Sequence, residues 1–167
     1  MEDIEAPDVH HINAALGWLG LGNLVEAKAE LTNLSASVQA HPDVLELRWL
    51  ICAEEQSWDE GLQIARALLE AAPERASGWL HQAYALRRIE QGGIKQAWEA
   101  LLPAFDKFPT ESIIAYNLSC YACQLQKMEA ARVWFKRALV IGGKEKIKKM
   151  ALLDEDLEPL WKEIQGF

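Results

Sequence analysis

Cysteine, proline and long apolar runs are all scarce in this chain of 167 residues. Its three cysteines are an odd number without the spacing of a disulfide framework, which favours a reducing compartment. No apolar run is long enough for a membrane span. The N-terminal MEDIEAPD also lacks the apolar core of a signal peptide. Half of the residues are hydrophobic and only six are proline, so we expect a folded, cytoplasmic protein.

Basic residues are few as well. The chain has 17 lysines and arginines against 25 acidic residues, which gives a formal net charge of −8. Phosphate groups are bound by basic surfaces, so this balance excludes nucleic acid and anionic membranes as expected partners. A protein or peptide partner is the interpretation that remains.

Catalytic motifs are missing too. The sequence has no phosphate-binding loop, no H-E-x-x-H zinc motif and no nucleophile elbow. Its four histidines have no paired carboxylate that the sequence singles out. We therefore expect no enzyme activity, no cofactor and no bound metal.

One cysteine pair, Cys120 and Cys123, forms a C-x-x-C pattern. A reactive thiol needs a lowered pKa, usually at a helix N-terminus or beside a cation, and this pair lies in mid-helix. Structural zinc would need two more ligands, for which only Cys52 and His81 are in view. We interpret the pair as small side chains lining a groove, with thiol or metal chemistry as the alternative.

Small and bulky residues recur along the chain with a period near 34. The first small position is occupied by Ala27, Gly61, Ala97 and Ala131, at spacings of 34, 36 and 34 residues. Four positions later stand Leu31, Ala65, Leu101 and Phe135. Three positions after those stand Leu34, Leu68, Ala104 and Ala138. Prolines 42, 73 and 109 separate the repeats, since proline ends a helix.

This pattern resembles the tetratricopeptide repeat (TPR). The first-helix signature is best kept at Tyr116–Asn117–Leu118 and at Trp79. Ala14–Ala15 and Arg48–Trp49 depart from it, and two extra residues lie around Gly92–Gly93. The resemblance implies an all-α fold, a right-handed α-solenoid of four TPR-like helix pairs followed by C-terminal capping helices.

The expected divisions follow from that repeat. Residues 1–8 would be a flexible lead, residues 9–143 four repeats (about 9–41, 42–75, 76–111 and 112–143), and residues 144–167 the capping helices. We expect the second helix to run to about Ala40 and the sixth to bend at Pro103. Asp154 or Asp156 should cap the last helix. The lysine cluster should be a solvated face rather than a basic docking patch, because it is interleaved with Glu145 and followed by acidic residues; its members are Lys144, Lys146, Lys148 and Lys149.

In the TPR family the first helix of each pair lines the concave side, which implies a groove. Its expected lining is Leu16, Leu50, Leu80, Tyr84, Arg87, Arg88, Tyr116, Asn117, Cys120 and Gln124. Such a lining suits a partner peptide or helix with an apolar face and a carboxylate. The alternative for the arginines is surface pairing with Glu54, Glu55 or Glu90. A clamp for acidic chaperone tails is not expected, because Ile12, Leu16, Leu50, Ser77 and His81 stand at its positions.

The predicted function is that of a non-catalytic adaptor or scaffold that binds a partner protein in this groove. One alternative is a chaperone for apolar client segments, similar to the TPR chaperones of type III secretion. Another is a homo-oligomer assembled through the first helix, which is apolar on nearly every side and exposes Ile12 and Trp18 as candidate contacts.

Overall fold

In the computed structural model, residues 4–166 are described, and none of them forms a β-strand. The α-helices are α1 Asp8–Gly20, α2 Leu24–Thr32, α3 Pro42–Glu54, α4 Trp58–Ala71, α5 Ala76–Leu86, α6 Ile94–Leu101, α7 Ala104–Lys107, α8 Ser112–Gln124, α9 Met128–Gly142, α10 Lys144–Ala151 and α11 Trp161–Gly166. Two 3-10 helices add Ala36–Val38 and Glu155–Leu160. Within the described part of the chain, no helix combines the length and the apolar character that crossing a membrane requires. The chain divides into two compact units, Met1–His81 and Gln82–Phe167.

The first unit is built on the pairs α1–α2 and α3–α4. Its main core joins small and branched residues from three of these helices and from the segment after α2: Ala15, Ala27, Leu31, Leu34, Val44, Leu47 and Ile51. Ile4 packs against this cluster, although the sequence placed it in a flexible lead. Residues 1–3 of that lead lie outside the described residues. Asp8, the last residue of the predicted lead, instead begins α1.

The second helix is shorter than predicted, because it ends at Thr32 rather than near Ala40. Beyond this end, the carboxylate of Asp8 accepts hydrogen bonds from Ser35 N at 2.8 Å and from Ser35 Oγ at 2.6 Å. These bonds engage the backbone N–H that a continuing helix would use, and they hold the pKa of Asp8 below its usual value. The chain then makes a 3-10 turn over Ala36–Val38. A contact across 27 residues therefore ends this helix.

The same turn joins the two helices in three of the pairs. Gly22, Gln56 and Gln126 all have φ between 56° and 73°, the left-handed region in which a helix commonly ends. The N–H of the following residue then bonds back to the preceding helix: Asn23 to Trp18 O, Ser57 to Cys52 O and Lys127 to Ala122 O, at 2.8–2.9 Å. In the third pair, two extra residues intervene and Gly93 N bonds Leu86 O. The backbone thus repeats with the period read from the sequence.

The second unit is organised around the antiparallel pair α8–α9. Ala131, Phe135 and Ala138 are all buried, as the small, bulky, small pattern predicts. Ser119 is buried as well, and its hydroxyl donates to Ala131 O at 2.9 Å. Because the short side chains of α9 admit the backbone of α8 closely, this hydroxyl can reach a carbonyl on the other helix.

The sixth predicted helix is interrupted where the sequence predicts a bend. The helix α6 ends at Leu101 and α7 begins at Ala104, with Pro103 between them. Proline cannot donate a backbone hydrogen bond, so the helical pattern stops and restarts around it.

After α9 the chain forms α10, a 3-10 helix and α11. Asp154 is the N-cap of the 3-10 helix, and its carboxylate accepts from Asp156 N at 3.0 Å. Pro159 lies inside this helix. Leu157, Leu160 and Ile164 are at most 1% exposed, which makes this terminal segment part of the core of the second unit.

Candidate peptide-binding site

The second unit contains a surface cavity of about 610 Å³ between α5, α8 and the C-terminal segment, called here the α5–α8 cavity. Tyr116 and Cys120 lie four residues apart on α8 and therefore share one face of that helix. The lining is Tyr84, Arg87, Arg88, Tyr116, Asn117, Cys120, Met150, Leu153, Asp154, Glu155 and Asp156. The first six were predicted as groove residues from the sequence.

The far wall of the cavity is acidic, and groups from α8 and from the turn that follows α5 bind it. Tyr116 Oη donates to Asp154 Oδ2 at 2.8 Å, and Cys120 Sγ lies 3.5 Å from the same oxygen. Both terminal nitrogens of Arg87 donate hydrogen bonds to the Asp156 carboxylate, with Nη2–Oδ1 at 2.7 Å. This forked geometry is the arrangement in which arginine binds a carboxylate most specifically.

A main-chain contact completes the wall. Gln124 Nε2 donates to the carbonyl oxygen of Asp156 at 3.0 Å. Gln124, the seventh residue that the sequence predicted for this part of the groove, therefore contacts the same segment although it is not in the cavity lining. The side chains of α8 thus bind both the carboxylates and the backbone of the C-terminal segment.

The environment of the site keeps Tyr116 and Cys120 in their uncharged forms. Burial, the nearby thiol of Cys120 and the hydrogen bond to Asp154 raise the pKa of Tyr116 well above its usual value. Burial, reinforced by the charges of Asp154 and Asp156, does the same for the pKa of Cys120. The hydrogen bonds to Asp156 raise the pKa of Arg87, so its guanidinium remains charged. At the acidic wall, the charged guanidinium of Arg87 and the neutral groups of Tyr116 and Cys120 therefore face Asp154 and Asp156.

The sulfur of Cys120 and carboxylate oxygens of Asp154 and Asp156 lie within 4.8 Å of one another, a spacing that could suit a metal ion. However, Arg87 already holds the Asp156 carboxylate, and the raised pKa of Cys120 disfavours the thiolate that ligation requires. Cys123 has its pKa raised by burial too. The arrangement favours recognition of a carboxylate by Arg87 over metal binding.

The rim of the cavity carries an exposed aromatic platform. Tyr84 is 39% exposed, and the guanidinium of Arg88 lies 3.5 Å from the centroid of its ring. Arg88 Nη1 also donates to Tyr84 O at 2.9 Å. Asn117 directs its amide to Ile113 O on its own helix. The alternative of surface pairing with Glu54, Glu55 or Glu90 does not apply to Arg87, because its guanidinium binds the Asp156 carboxylate.

Neither a protein-family profile nor a curated protein sequence matches the chain. Solved structures of MamA do match it. MamA RS-1, as the ArsTM double mutant, aligns with a TM-score of 0.70 and 15% identity over 85% of this chain and 79% of that chain. MamA MSR-1 aligns at 0.66 with 16% identity over 85% and 82%. MamA AMB-1 aligns at 0.64 with 15% identity over 97% and 99%.

The chain has a TPR-like fold. MamA is a TPR-containing protein, and the similarity at such low identity is one of backbone arrangement. The all-α helical-repeat class and the TPR resemblance predicted from the sequence are both confirmed.

The remaining predicted groove residues lie in the first unit. Leu16 and Leu50 are 54% and 40% exposed, and Leu80 is half-buried. Of the two candidate self-association residues, Trp18 is exposed, whereas Ile12 packs against the main core of its unit.

A polar cluster on α3 and α5 was missed at the sequence level. Glu46 accepts hydrogen bonds from His81 Nε2 at 2.7 Å and from Ser77 Oγ. The His81 ring stacks on Trp49, with centroids 3.6 Å apart and planes 11° from parallel. The i, i+4 spacing of Ser77 and His81 places them on one helix face, but nothing local names Glu46 as their partner.

The acidic residues of the site were not identified from the sequence. Asp154 or Asp156 was expected only as a helix cap, but both are half-buried and bound by Tyr116 and Arg87. Glu155 and Glu158, by contrast, are exposed. Exposed and half-buried residues alternate along this stretch, and that alternation distinguishes the two aspartates. The sequence shows only a run of like charges, which does not reveal it.

Proposed function

We propose that this chain is a non-catalytic interaction protein that binds a segment of a partner protein at the α5–α8 cavity. One observation carries the proposal: six residues predicted as groove lining from the sequence line one cavity. The groups in that lining bind a peptide segment of the chain itself. The partner is a protein rather than nucleic acid or membrane, in keeping with a net charge of −8, and the place of action is the cytoplasm.

The geometry suits a peptide. A volume of about 610 Å³ lies within the range of sites that enclose small ligands or short peptide stretches. The tyrosine–arginine platform at the rim offers a rigid apolar surface beside a cation, a combination common among residues that dominate binding energy. Helical-repeat folds commonly use such side chains, presented by successive helices, to bind extended partners.

The test uses a random peptide library displayed on phage and selected on the full-length wild-type protein. Selected peptides are then measured against the Tyr84→Ala/Arg88→Ala variant, which removes the exposed rim and leaves the buried groups in place. A loss of at least about tenfold in affinity is expected, since these two residue types commonly act as hot spots.

The matched control is Arg137→Ala/Val140→Ala on α9. Arg137 also lies over an aromatic ring, 4.5 Å from the centroid of Trp134, and Val140 is exposed. This variant loses one cation and one exposed apolar group, as the test variant does, and should bind the peptides normally. Equal binding by wild type and the Tyr84→Ala/Arg88→Ala variant would refute the cavity as the binding site.

Self-association through α1 is the second candidate, favoured by the exposure of apolar residues at the end of that helix. Leu16, Trp18 and Leu21 are 54%, 36% and 77% exposed. Sedimentation should then show concentration-dependent size that Trp18→Glu abolishes without loss of helicity. A monomer at high micromolar concentration would eliminate this candidate. The chaperone alternative stays a prediction, tested by whether the protein keeps an aggregating client in solution.

A further inference from the structure

The α5–α8 cavity already holds one acidic peptide, residues 154–156 of the chain, called here the acidic segment. Its first and third residues, Asp154 and Asp156, are half-buried and bound by the cavity. The residues between and before them, Glu155 and Leu153, are exposed. Two carboxylates two positions apart are therefore what this site accommodates.

Recognition of the acidic segment combines two kinds of contact. Gln124 binds the main-chain carbonyl of Asp156, a contact that any residue at that position could make. Arg87 and Tyr116 bind the carboxylates, contacts that only an acidic residue satisfies at full strength. A site built in this way would accept other peptides with the same carboxylate spacing and reject neutral ones.

We propose that the α5–α8 cavity is a receptor site for acidic peptides with carboxylates at positions i and i+2, and that the acidic segment is its intramolecular competitor. The inference rests on the proposed function and specifies its ligand. A partner peptide binds by displacing the acidic segment, which returns when the partner leaves.

The packing on either side of the acidic segment allows this exchange. Leu157, Leu160 and Ile164 anchor the chain after the segment, and Ala151 anchors it before, all at most 1% exposed. Displacement therefore needs to move only the few residues between Ala151 and Leu157. A tethered competitor of this kind acts at an effective concentration in the millimolar range, which sets a threshold for the partner.

Arg87 explains why replacement of the acidic segment by another acidic peptide is favoured over loss of the segment alone. Its side chain is about three-quarters buried, with 26% exposure, and it would lose the Asp156 carboxylate if the acidic segment left alone. A half-buried charge without a partner is costly, whereas one carboxylate replacing another keeps it paired. In a chain of net charge −8, this local cation is what attracts an acidic ligand.

The experiment uses a fluorescent peptide with the sequence of residues 152–158, LLDEDLE, and the full-length protein. Wild type should bind it weakly, as measured by anisotropy. The Asp154→Asn/Asp156→Asn variant should bind it at least about tenfold more tightly, because the weakened competitor leaves the cavity open more often. A peptide with both aspartates changed to asparagine should show no such gain.

The matched control is Glu155→Gln/Glu158→Gln, which makes the same change in net charge within the same stretch. Neither of these side chains makes a hydrogen bond within the described residues, so the affinity of this variant for the peptide should equal that of the wild type. If both variants gain equally, the effect is one of net charge and the inference is overturned. Equal binding by Asp154→Asn/Asp156→Asn and wild type also overturns it.

A measurement on the wild type guards against misfolding of the variant. Hydrogen exchange should show the amides of Asp156 and Leu157, which bond to Asp154, becoming less protected at saturating LLDEDLE. Unchanged protection overturns the inference. A dimer that exchanges C-terminal segments would also overturn it, because a second copy of the chain would then be the occupant of the cavity. If library peptides still depend on Tyr84 and Arg88 but are not acidic, the proposed function stands and this inference alone fails.

Discussion

Arg87, which directly follows α5, and Asp156 in the C-terminal 3-10 helix stand 69 positions apart, yet the guanidinium of one forks onto the carboxylate of the other. Both side chains are mostly buried, at 26% and 18% exposure. Within the second unit, this pair fixes the C-terminal segment against the helix that lines the cavity. It therefore belongs to the stability of the unit as well as to the site.

Replacing Arg87 by alanine should lower the free energy of unfolding by about 2 kcal/mol. Hydrogen bonds to charged groups contribute about 1.5–3 kcal/mol, and Asp156 would keep a partly buried charge without its cation. Urea unfolding followed by circular dichroism measures the change.

A double-mutant cycle isolates the pair itself, with Arg87→Ala, Asp156→Ala and both together. The coupling energy should exceed about 1 kcal/mol. The control pair is Lys95 with Glu99, which is exposed and one helical turn apart at 3.9 Å. Its coupling should stay below about 0.5 kcal/mol. Equal coupling in the two cycles would contradict a structural role for Arg87.

Two glycines should respond oppositely to substitution by alanine. At Gly92, an added Cβ would collide with the carbonyl oxygen of Leu86 and the side chain of Ile89. At Gly17, inside α1, nothing lies within 4 Å of an added Cβ. Gly92→Ala should destabilise by more than about 1 kcal/mol, because the backbone must move.

Gly17→Ala should instead stabilise by about 0.5–1 kcal/mol, since alanine favours a helix interior over glycine. The same urea titration compares both variants with the wild type. Destabilisation of similar size at both positions would contradict this prediction. It would mean that the close approach of Gly92 to Leu86, in the two-residue insertion before α6, does not constrain the backbone.

The sequence predicts the helices of this fold well because their signals are local. The spacing of Ala131, Phe135 and Ala138 identifies a packed helix face, and Pro103 marks an interruption. The turn at Gln126 is located without a glycine, because the helical patterns on each side leave no other place for it. Helical periodicity and helix-breaking residues are sufficient to predict a structural feature that depends on neighbours within one or two helical turns.

Features that depend on distant partners are not predictable in the same way. The end of α2 is set by Asp8 bonding Ser35, which no local pattern at Ser35 reveals. The helices that face the cavity were predicted, but the acidic residues that form its far wall were not. Their sequence is a run of like charges, and only the alignment of Asp154 and Asp156 with Tyr116 and Arg87 distinguishes two of them from the rest.

The three cysteine thiols should be unreactive in the folded protein. Burial and nearby carboxylates raise the pKa of Cys52 to about 11, and burial raises the pKa of Cys120 and Cys123. At pH 8 the thiolate fraction of Cys52 would be about one in a thousand, and only the thiolate reacts.

The reaction with Ellman's reagent measures this directly. All three thiols should react slowly in buffer and rapidly once guanidinium chloride unfolds the chain. The unfolded sample serves as the control for reagent and cysteine integrity. A thiol that reacts quickly in the native protein would instead support the thiol-chemistry alternative raised by the C-x-x-C pattern.

The Glu46 carboxylate should make stability of the first unit depend on acid pH. Burial opposes its ionisation, but the hydrogen bonds from His81 and Ser77 outweigh it and hold the pKa of Glu46 below its usual value. A carboxylate with a lowered folded-state pKa contributes stability that is present above the unfolded pKa. That contribution is lost as the pH falls through the folded pKa.

Thermal unfolding of wild type and Glu46→Gln between pH 7 and about pH 3 tests this. The wild type should be more stable at pH 7, and the difference should shrink below pH 4.5 as its own carboxyl becomes protonated. Glu74→Gln, which changes an exposed carboxylate in the same unit, provides the baseline for the charge change alone. A difference that stays constant across this range, or grows in acid, would mean that the bonds from His81 and Ser77 do not favour the ionised form. The stacking of His81 on Trp49 would then be what holds α5 against α3.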